Sequence, residues 1–265
     1  MVLLIKKIVA AIFNVLGVSK LYFNKLNRKY NNNYVRVINY HNTEKEYIQL
    51  FEKHIKYLND TFKIITLHEF KEFLNGNVSF NEKPGLLITF DDGYISNYEY
   101  GIDVLDKYGI EGTFFISSDK INGDEKYINL KQLKHMIERG HKIGCHTSSH
   151  HRFVETDSKE VLEREIIESN GILNKELDMS NDCFCFVGGE LPVYTKQAFE
   201  MIKDNYNYSF TTLTQVSTPN TNPMLIHRTN VESFWNLGLV KFQVSGLWDL
   251  LYKKKAKIVE DKLLK

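Results

Sequence analysis

The segment LLITFDDG, Leu86 to Gly93, decides the fold of this chain. Its first five residues form a continuous apolar run, which is typical of a strand buried on both faces of a parallel sheet. Two adjacent aspartates follow at once, and Gly93 then permits a sharp turn because it has no Cβ. Two like charges at the end of a buried strand are costly unless a cation lies nearby. The segment therefore predicts a parallel strand that ends in a functional site.

Strand-like and helix-like segments alternate on both sides of this run. GTFFIS (112–117) and MLIHRTNV (224–231) read as strands, whereas EYIQLFEKHIKYLND (46–60), YGIDVLDKYG (100–109) and LKQLKHMIERG (130–140) have helical periodicity. At least five such alternations predict an α/β fold with a parallel sheet or barrel. In these folds the chemistry gathers at the carboxyl ends of the strands. The polar residues expected there are His41, Asp91, Asp92 and His146.

Composition restricts the partners. The chain has 265 residues with 34 Lys plus Arg against 33 Asp plus Glu, so no net charge favours nucleic acid. One main domain accommodates this length. Its three cysteines, Cys145, Cys183 and Cys185, form no CxxC pair and are expected to be buried and reduced.

Both ends of the chain are predicted to be amphipathic helical segments. Residues 1–33 carry the apolar run Ile8 to Val18, which is short for a membrane-spanning helix and has no small-x-small cleavage site after it. Interleaved lysines favour a helix on a membrane surface, and a helix packed on the domain itself is the alternative. Residues 233–265 invite the same two interpretations. The catalytic domain is then residues 34–232.

The residues expected at the strand ends suit a metal site. One carboxylate and two imidazoles make an open three-ligand set for a divalent ion such as zinc. His146 and His150 are four apart and would share one face if that stretch were a helical turn. One of the two adjacent aspartates would bind the metal and the other would take a proton from water. Taken singly, DDG is usually a turn and H-x-x-x-H a solvated helix face. Their joint occurrence at strand ends favours a metal hydrolase.

Three segments resemble motifs of the polysaccharide deacetylase superfamily, carbohydrate esterase family 4, which shares the NodB homology domain. They are TFDDG (89–93), YGIEGTFFIS (108–117) and GHKIGCHTSSH (140–150). The resemblance covers about Tyr34 to Val231. It implies a distorted (β/α) barrel, here flanked by amphipathic N- and C-terminal helices, and a single divalent metal ion. Zinc is expected, with cobalt and nickel as alternatives.

The resemblance also assigns roles. It implies that Asp91 is the general base, that Asp92, His146 and His150 bind the metal, and that Thr147 hydrogen-bonds within the turn. The family usually has proline where His151 stands, so His151 is held as an alternate ligand.

For the catalytic acid, the chain resembles a circularly permuted subgroup of the family that acts on exopolysaccharides and envelope sugars. VINYHN (37–42) is similar to the opening strand of that subgroup, which implies that His41 is the catalytic acid. The histidine of LIH (225–227), His227, is the alternative.

The third motif matches less well. FCFVGG (184–189) resembles the subgroup's F-[AS]-Y-P-x-G, but Val187 replaces the proline. The resemblance implies that the Gly188 N–H binds the oxyanion, and the missing proline questions the rigidity of that loop. HRTNV (227–231) is similar to a later strand of the subgroup, which implies that Arg228 contacts Asp91. A surface salt bridge is the alternative for Arg228.

Together these features predict a hydrolase that removes an N-acetyl group from an amino sugar in a polysaccharide or glycoconjugate. One alternative is a deformylase or deacetylase of a lipid-linked sugar at a membrane. Another is a catalytically weak relative that binds carbohydrate. The expected location is a bacterial-type cell envelope, peripheral at the cytoplasmic membrane, with the side of the membrane left open.

Overall fold

The computed structural model describes residues 2–121 and 123–265, excluding the side chain of Val2. The strands are β1 Val35–Tyr40, β2 Lys63–Ile64, β3 Gly85–Phe90, β4 Thr113–Ile116, β5 Lys142–Cys145, β6 Cys183–Cys185, β7 Tyr208–Phe210 and β8 Arg228–Asn230. The α-helices are α1 Val2–Val15, α2 Val18–Tyr30, α3 Ile48–Thr61, α4 Leu67–Leu74, α5 Ile102–Lys107, α6 Leu130–Glu138, α7 Lys159–Leu162, α8 Ser169–Leu177, α9 Lys196–Asn205, α10 Leu237–Val244 and α11 Asp249–Leu264.

The strands form one parallel sheet that nearly closes into a barrel. Their order is β7-β6-β5-β4-β3-β1-β8, and β2 pairs with β3 outside that path. An isolated parallel bridge between Phe210 and Ile226 joins the two ends of the sheet. Because all carboxyl ends of a parallel barrel open on one side, the residues that follow the strands face a common cleft. The predicted (β/α) barrel is confirmed.

The apolar run of the opening segment forms β3 in the middle of the sheet. β3 pairs with β1 on one side and β4 on the other, with Ile88 opposite Ile38 and Thr89 opposite Thr113. All six residues of β3 are buried. A strand with neighbours on both sides and helices over its outer face leaves no side chain in water, which explains its continuous hydrophobicity.

Side chains alternate between the outside and the inside of the barrel. Ile38 and Ile88 belong to the outer core, which packs against the helices. Val37 and Leu87 belong to a separate inner core, to which α4 contributes Phe70. Farther along the chain the inward-facing residues become polar, first at Thr89 of β3 and then at Asp91, which follows the strand. The interior of the barrel is therefore apolar over most of its length and polar directly beneath the cleft.

Two expected elements differ in length. The strand expected over residues 224–231 is reduced to β8, because Met224 and Leu225 donate backbone N–H bonds to Asn222 and form a turn instead. The expected helix beginning near Tyr100 starts as a π-helical turn, Asn97–Gly101, before α5. A second π-helical turn, Glu163–Glu168, joins α7 to α8.

The terminal helices pack on the barrel with one face. Ala10 of α1 is buried, and the Phe13 ring meets that of Phe242 of α10 edge-on, with centroids 5.7 Å apart. The Asn14 side chain donates a 2.7 Å hydrogen bond to the Gly238 carbonyl. The outer face of α1 remains exposed. Across residues 2–121 and 123–265, no helix has the length and apolar character needed to cross a bilayer.

Candidate metal centre and catalytic cleft

A polar cleft of about 460 Å³ opens at the carboxyl ends of the strands. It brings together residues from the ends of β1, β3, β5, β7 and β8, the segment after β6 and the C-terminal helix. Its lining comprises Asn39, His41, Asp91, Asp92, His146, His150, Arg152, Phe186, Gly188, Gly189, Glu190, Thr212, Asn230, Tyr252 and Lys255. Every principal site residue of the sequence prediction except Arg228 is in this set. Arg228 lies buried beneath it.

The Asp92, His146 and His150 side chains form a group suited to a metal ion. The Oδ1 atom of Asp92 lies 2.9 Å from Nε2 of His150 and 3.4 Å from Nε2 of His146. One potential ligand atom from each side chain falls within 4.8 Å of the others. Burial alone would raise the pKa of Asp92, but the neighbouring imidazoles, in their protonated form, lower it below its usual value. The carboxylate is therefore anionic and ready to bind a cation.

Two further details fit a metal. The Nδ1 atom of His146 is 2.9 Å from the carbonyl oxygen of Cys185, so it carries the proton and leaves the Nε2 lone pair facing Asp92. Asp92 Oδ1 is buried and has no hydrogen-bond donor, despite the imidazoles beside it. An unsatisfied buried carboxylate oxygen facing an imidazole lone pair is costly without a cation between them.

The histidine-bearing segment is not the helical turn that would put His146 and His150 on one face. Thr147 and His150 have φ of 64° and 66°, in the left-handed region. The Thr147 hydroxyl accepts the His151 N–H at 2.9 Å, within the turn as expected. Buried Glu165 accepts the N–H groups of Ser148 and Ser149 at 3.0 and 2.9 Å. These bonds hold a strained loop that aims both imidazoles at Asp92.

The neighbouring aspartate has a different environment. Asp92 has φ of 72°, so the chain turns between the two residues and their side chains diverge. Asp91 accepts two hydrogen bonds from Arg228, at 2.6 and 2.7 Å, and both groups are buried. Burial raises the pKa of Asp91, but the Arg228 charge outweighs it and holds the pKa below its usual value. The pair is internal, in contrast to the surface salt bridge considered from sequence.

Asp91, His146 and Cys185 also place potential ligand atoms close together. However, the Arg228 guanidinium lies 2.8 Å from the Cys185 sulfur as well as against Asp91. Burial raises the pKa of the Cys185 thiol well above its usual value, which keeps it protonated. A cation there would face a fixed positive charge, so the Asp92 group is the better metal site.

His41 lies across the cleft and is paired with a carboxylate. Its Nδ1 is 3.0 Å from the Oε1 of Glu232. Burial lowers the pKa of His41, but the hydrogen bond and charge of Glu232, helped by Asp91 and Asp92, raise it to about 9. His41 is therefore protonated at neutral pH and can donate a proton from its other nitrogen.

The segment after β6 is fixed by polar contacts where proline was expected. Gly188 has φ of 80°, and its carbonyl accepts a 2.9 Å hydrogen bond from the Thr212 hydroxyl. The next carbonyl, that of Gly189, accepts from Lys255 of α11. Among the residues that the structure describes, none accepts a hydrogen bond from the Gly188 N–H. That N–H is therefore available to a ligand in the cleft.

His151, the alternate metal ligand, and His227, the alternative acid, do not face the cleft. His227 is buried beside Thr211, whose hydroxyl is 2.8 Å from its Nδ1, and its Nε2 faces Glu260 of α11. The His151 Nε2 is 3.0 Å from Asp157. Neither residue lines the cleft.

Comparison with known proteins finds similarity to one family. Residues 80–206 match the family model described as polysaccharide deacetylase. Over this stretch the chain is similar to the polysaccharide deacetylase family. It is 38% identical to YxkH of Bacillus subtilis (strain 168), over 38% of this chain and 36% of that protein. It is 32% identical to a peptidoglycan-N-acetylglucosamine deacetylase of Bacillus cereus, over 39% of this chain and 46% of that protein. Both matches span less than half of the relative.

Solved structures support the fold of this protein. The Streptococcus pyogenes deacetylase PplD superposes with a TM-score of 0.69 at 20% identity, covering 79% of this chain and 98% of that one. IcaB from Ammonifex degensii gives a TM-score of 0.69 at 20% identity, covering 82% and 97%. At this level of identity the likeness establishes the barrel alone.

Four residues that support the site were not predicted from the sequence. Glu232, Glu165, Thr212 and Lys255 support the site, yet none belongs to a motif. Glu232 had one sequence signal, since it closely follows Arg228 on a strand predicted to end at the cleft. The others approach the site through loops and a helix whose positions only the fold determines.

Proposed function

We propose that this protein is a metal-dependent hydrolase that removes the N-acetyl group of an amino sugar in a glycan. The observation that carries the proposal is one cleft holding three elements: the Asp92, His146 and His150 group, the buried Asp91–Arg228 pair and the protonated His41. Similarity to the polysaccharide deacetylase family model and the N-deacetylase names of relatives support the same chemistry.

The metal-binding residues would be Asp92, His146 and His150, from the ends of β3 and β5 and the loop that follows. A divalent ion held there would polarise the acetyl carbonyl and lower the pKa of a bound water. Zinc suits one carboxylate and two imidazoles, and cobalt or nickel is the alternative.

The remaining steps belong to the chain's own groups. Asp91 is held anionic by Arg228 and takes the proton from the attacking water. The Gly188 N–H donates to the carbonyl oxygen as negative charge develops on it. His41, with its Nδ1 held by Glu232, protonates the departing sugar nitrogen. The products are acetate and a free amine.

The test is acetate release by purified protein loaded with zinc, cobalt or nickel. The substrates are chitin oligomers, peptidoglycan fragments and prenyl-linked N-acetylated sugars, with N-formylated counterparts to detect a deformylase. Acetate and new amine in equal amounts support the proposal, and the preferred substrate separates the polymer-acting enzyme from the lipid-linked alternative. Normal metal binding without release of either acyl group from any substrate would contradict catalysis and favour a carbohydrate-binding relative.

A further inference from the structure

The outer face of α1 is apolar and exposed. Ala10 and Phe13 cover the barrel side, where they pack against the core. On the opposite side, residues spaced by about one helical turn are more than half exposed. They are Leu4, Ile5, Ile8, Ile12, Val15 and Leu16. A contiguous exposed stripe of this kind marks an interaction surface more often than a scattered set of apolar residues does.

The charge of this region differs from that of the rest of the chain. Residues 1–43 contain seven Lys or Arg and no Asp or Glu. The remaining 222 residues contain 27 basic and 33 acidic side chains. Six of these seven basic residues lie on α1 and α2, and the seventh, Arg36 of β1, is buried against Asp249. A chain that is almost neutral overall is therefore polarised, with its positive end on α1 and α2.

The start of α11 has the same character and lies beside α1. The Lys6 ammonium of α1 is 4.8 Å from the centre of the Trp248 ring, immediately before α11. Leu250 and Leu251 follow and are exposed by 56% and 66%. Four lysines and no acidic residue occur between Leu250 and Val259. Apolar side chains and positive charge are thus combined on two adjacent elements.

We propose that the outer face of α1 and the first turn of α11, called here the docking face, bind the surface of an anionic lipid bilayer. The apolar side chains would enter the boundary between headgroups and acyl chains, and the lysines would contact anionic headgroups. A second copy of this chain is a poorer occupant. Pairing the same face across a two-fold axis would bring like charges together.

The docking face is close to the cleft. Tyr252 follows the exposed Leu251 directly, and both Tyr252 and Lys255 line the cleft. A bilayer held against the first turn of α11 would therefore lie beside the cleft mouth. Taken with the proposed deacetylase function, on which this step rests, this arrangement favours N-acetylated sugars held at a membrane surface over free polymer.

The experiment is flotation of the full chain with vesicles of phosphatidylcholine alone or with 30 mol% phosphatidylglycerol, roughly the anionic content needed for attraction. The wild type is expected to float with the anionic vesicles and to dissociate as salt is raised. The Ile8→Glu/Ile12→Glu variant is expected to lose about tenfold or more of its partitioning. The matched control is Ile172→Glu, an exposed isoleucine on α8, which should bind like the wild type.

Several outcomes would overturn the proposal. They are absence of wild-type binding, equal binding to neutral vesicles, unchanged binding of the double variant, and equal loss in the Ile172→Glu control. A wild-type dimer that the double variant converts to monomer would identify a second copy as the occupant. Circular dichroism checks folding. Acetate release from soluble oligomers should persist in the double variant, so failure of catalysis and failure of docking are read separately.

Discussion

At the scale of single residues, the adjacent aspartates have separate chemistry because their neighbours differ. Asp91 faces a guanidinium, whereas Asp92 faces two imidazoles. Arg228 keeps Asp91 ionised and also occupies the space that a cation would need next to it. This division explains how two carboxylates can follow a buried strand without repelling each other, since each has its own positive partner once the metal is bound.

Asp91→Asn is expected to lower kcat by about 100-fold or more, because the amide cannot accept the proton from water. Metal content should remain one ion per chain, since the Asp92 group is untouched. The variant should also unfold at a lower temperature because Arg228 loses its buried counter-charge.

The measurements are acetate release and metal analysis after dialysis. Asp60→Asn, at an exposed pair with Lys56, is the matched control and should behave like the wild type. Unchanged turnover in Asp91→Asn would show that Asp91 is not the general base.

His41 is the proposed proton donor of the reaction. A catalytic acid works while protonated, so activity should be retained at neutral pH and fall as pH rises through about 9, the raised pKa of His41. Glu232→Gln removes the negative charge that helps to raise this pKa and leaves an uncharged amide oxygen as the acceptor. The alkaline fall of kcat/KM should then move to lower pH.

Glu260→Gln is the paired control because Glu260 faces the alternate acid, His227. Its profile should match that of the wild type. A shift in Glu260→Gln with none in Glu232→Gln would transfer the acid role to His227.

At the scale of elements, the loop after β6 shows how the chain compensates for a missing proline. Thr212 and Lys255 hold successive carbonyls at Gly188 and Gly189, which fixes the two peptide planes immediately after the Gly188 N–H. Thr212 comes from the end of β7 and Lys255 from α11. The rigidity that a proline supplies within one residue is here assembled from two distant elements.

Lys255→Met is therefore expected to lower kcat by roughly tenfold, since a misplaced oxyanion donor weakens transition-state binding. Adding Val187→Pro should restore a large part of the loss, because proline stiffens the same backbone. Separate measurements of kcat and KM distinguish positioning of the loop from binding of the sugar.

Lys262→Met, on the exposed side of the same helix, is the control and should leave kcat unchanged. A Lys255→Met effect confined to KM, with no rescue by proline, would show that Lys255 contacts substrate instead.

The parts of the site that were predictable are those contained in short motifs. Asp91, Asp92 and His146 directly follow strands whose hydrophobicity is visible in sequence, so the parallel topology brings them together. The left-handed φ of His150 was not visible, because a loop conformation imposed by Glu165 has no periodic signal. Lys255 was equally hidden, since nothing local to a lysine-rich helix shows which lysine reaches the cleft.

At the scale of the whole molecule, the proposed metal site connects the ends of two strands that are not neighbours in the sheet. Asp92 follows β3 and His146 follows β5, with β4 between them. An ion bound to both, and to the loop carrying His150, binds the folded barrel and not the unfolded chain. Metal binding should therefore stabilise the cooperative unit, and not one loop alone.

Removing metal with a chelator should lower the melting temperature, and adding zinc should restore it. At about 100 times the dissociation constant, zinc contributes about 2.7 kcal/mol to the free energy of unfolding. For a domain of this size that corresponds to a shift of roughly 5–10 °C. His150→Ala should lose most of the zinc response, whereas His151→Ala should keep it because His151 is engaged with Asp157. Differential scanning calorimetry with and without zinc makes the comparison, and a zinc response lost in His151→Ala but kept in His150→Ala would reassign the third ligand.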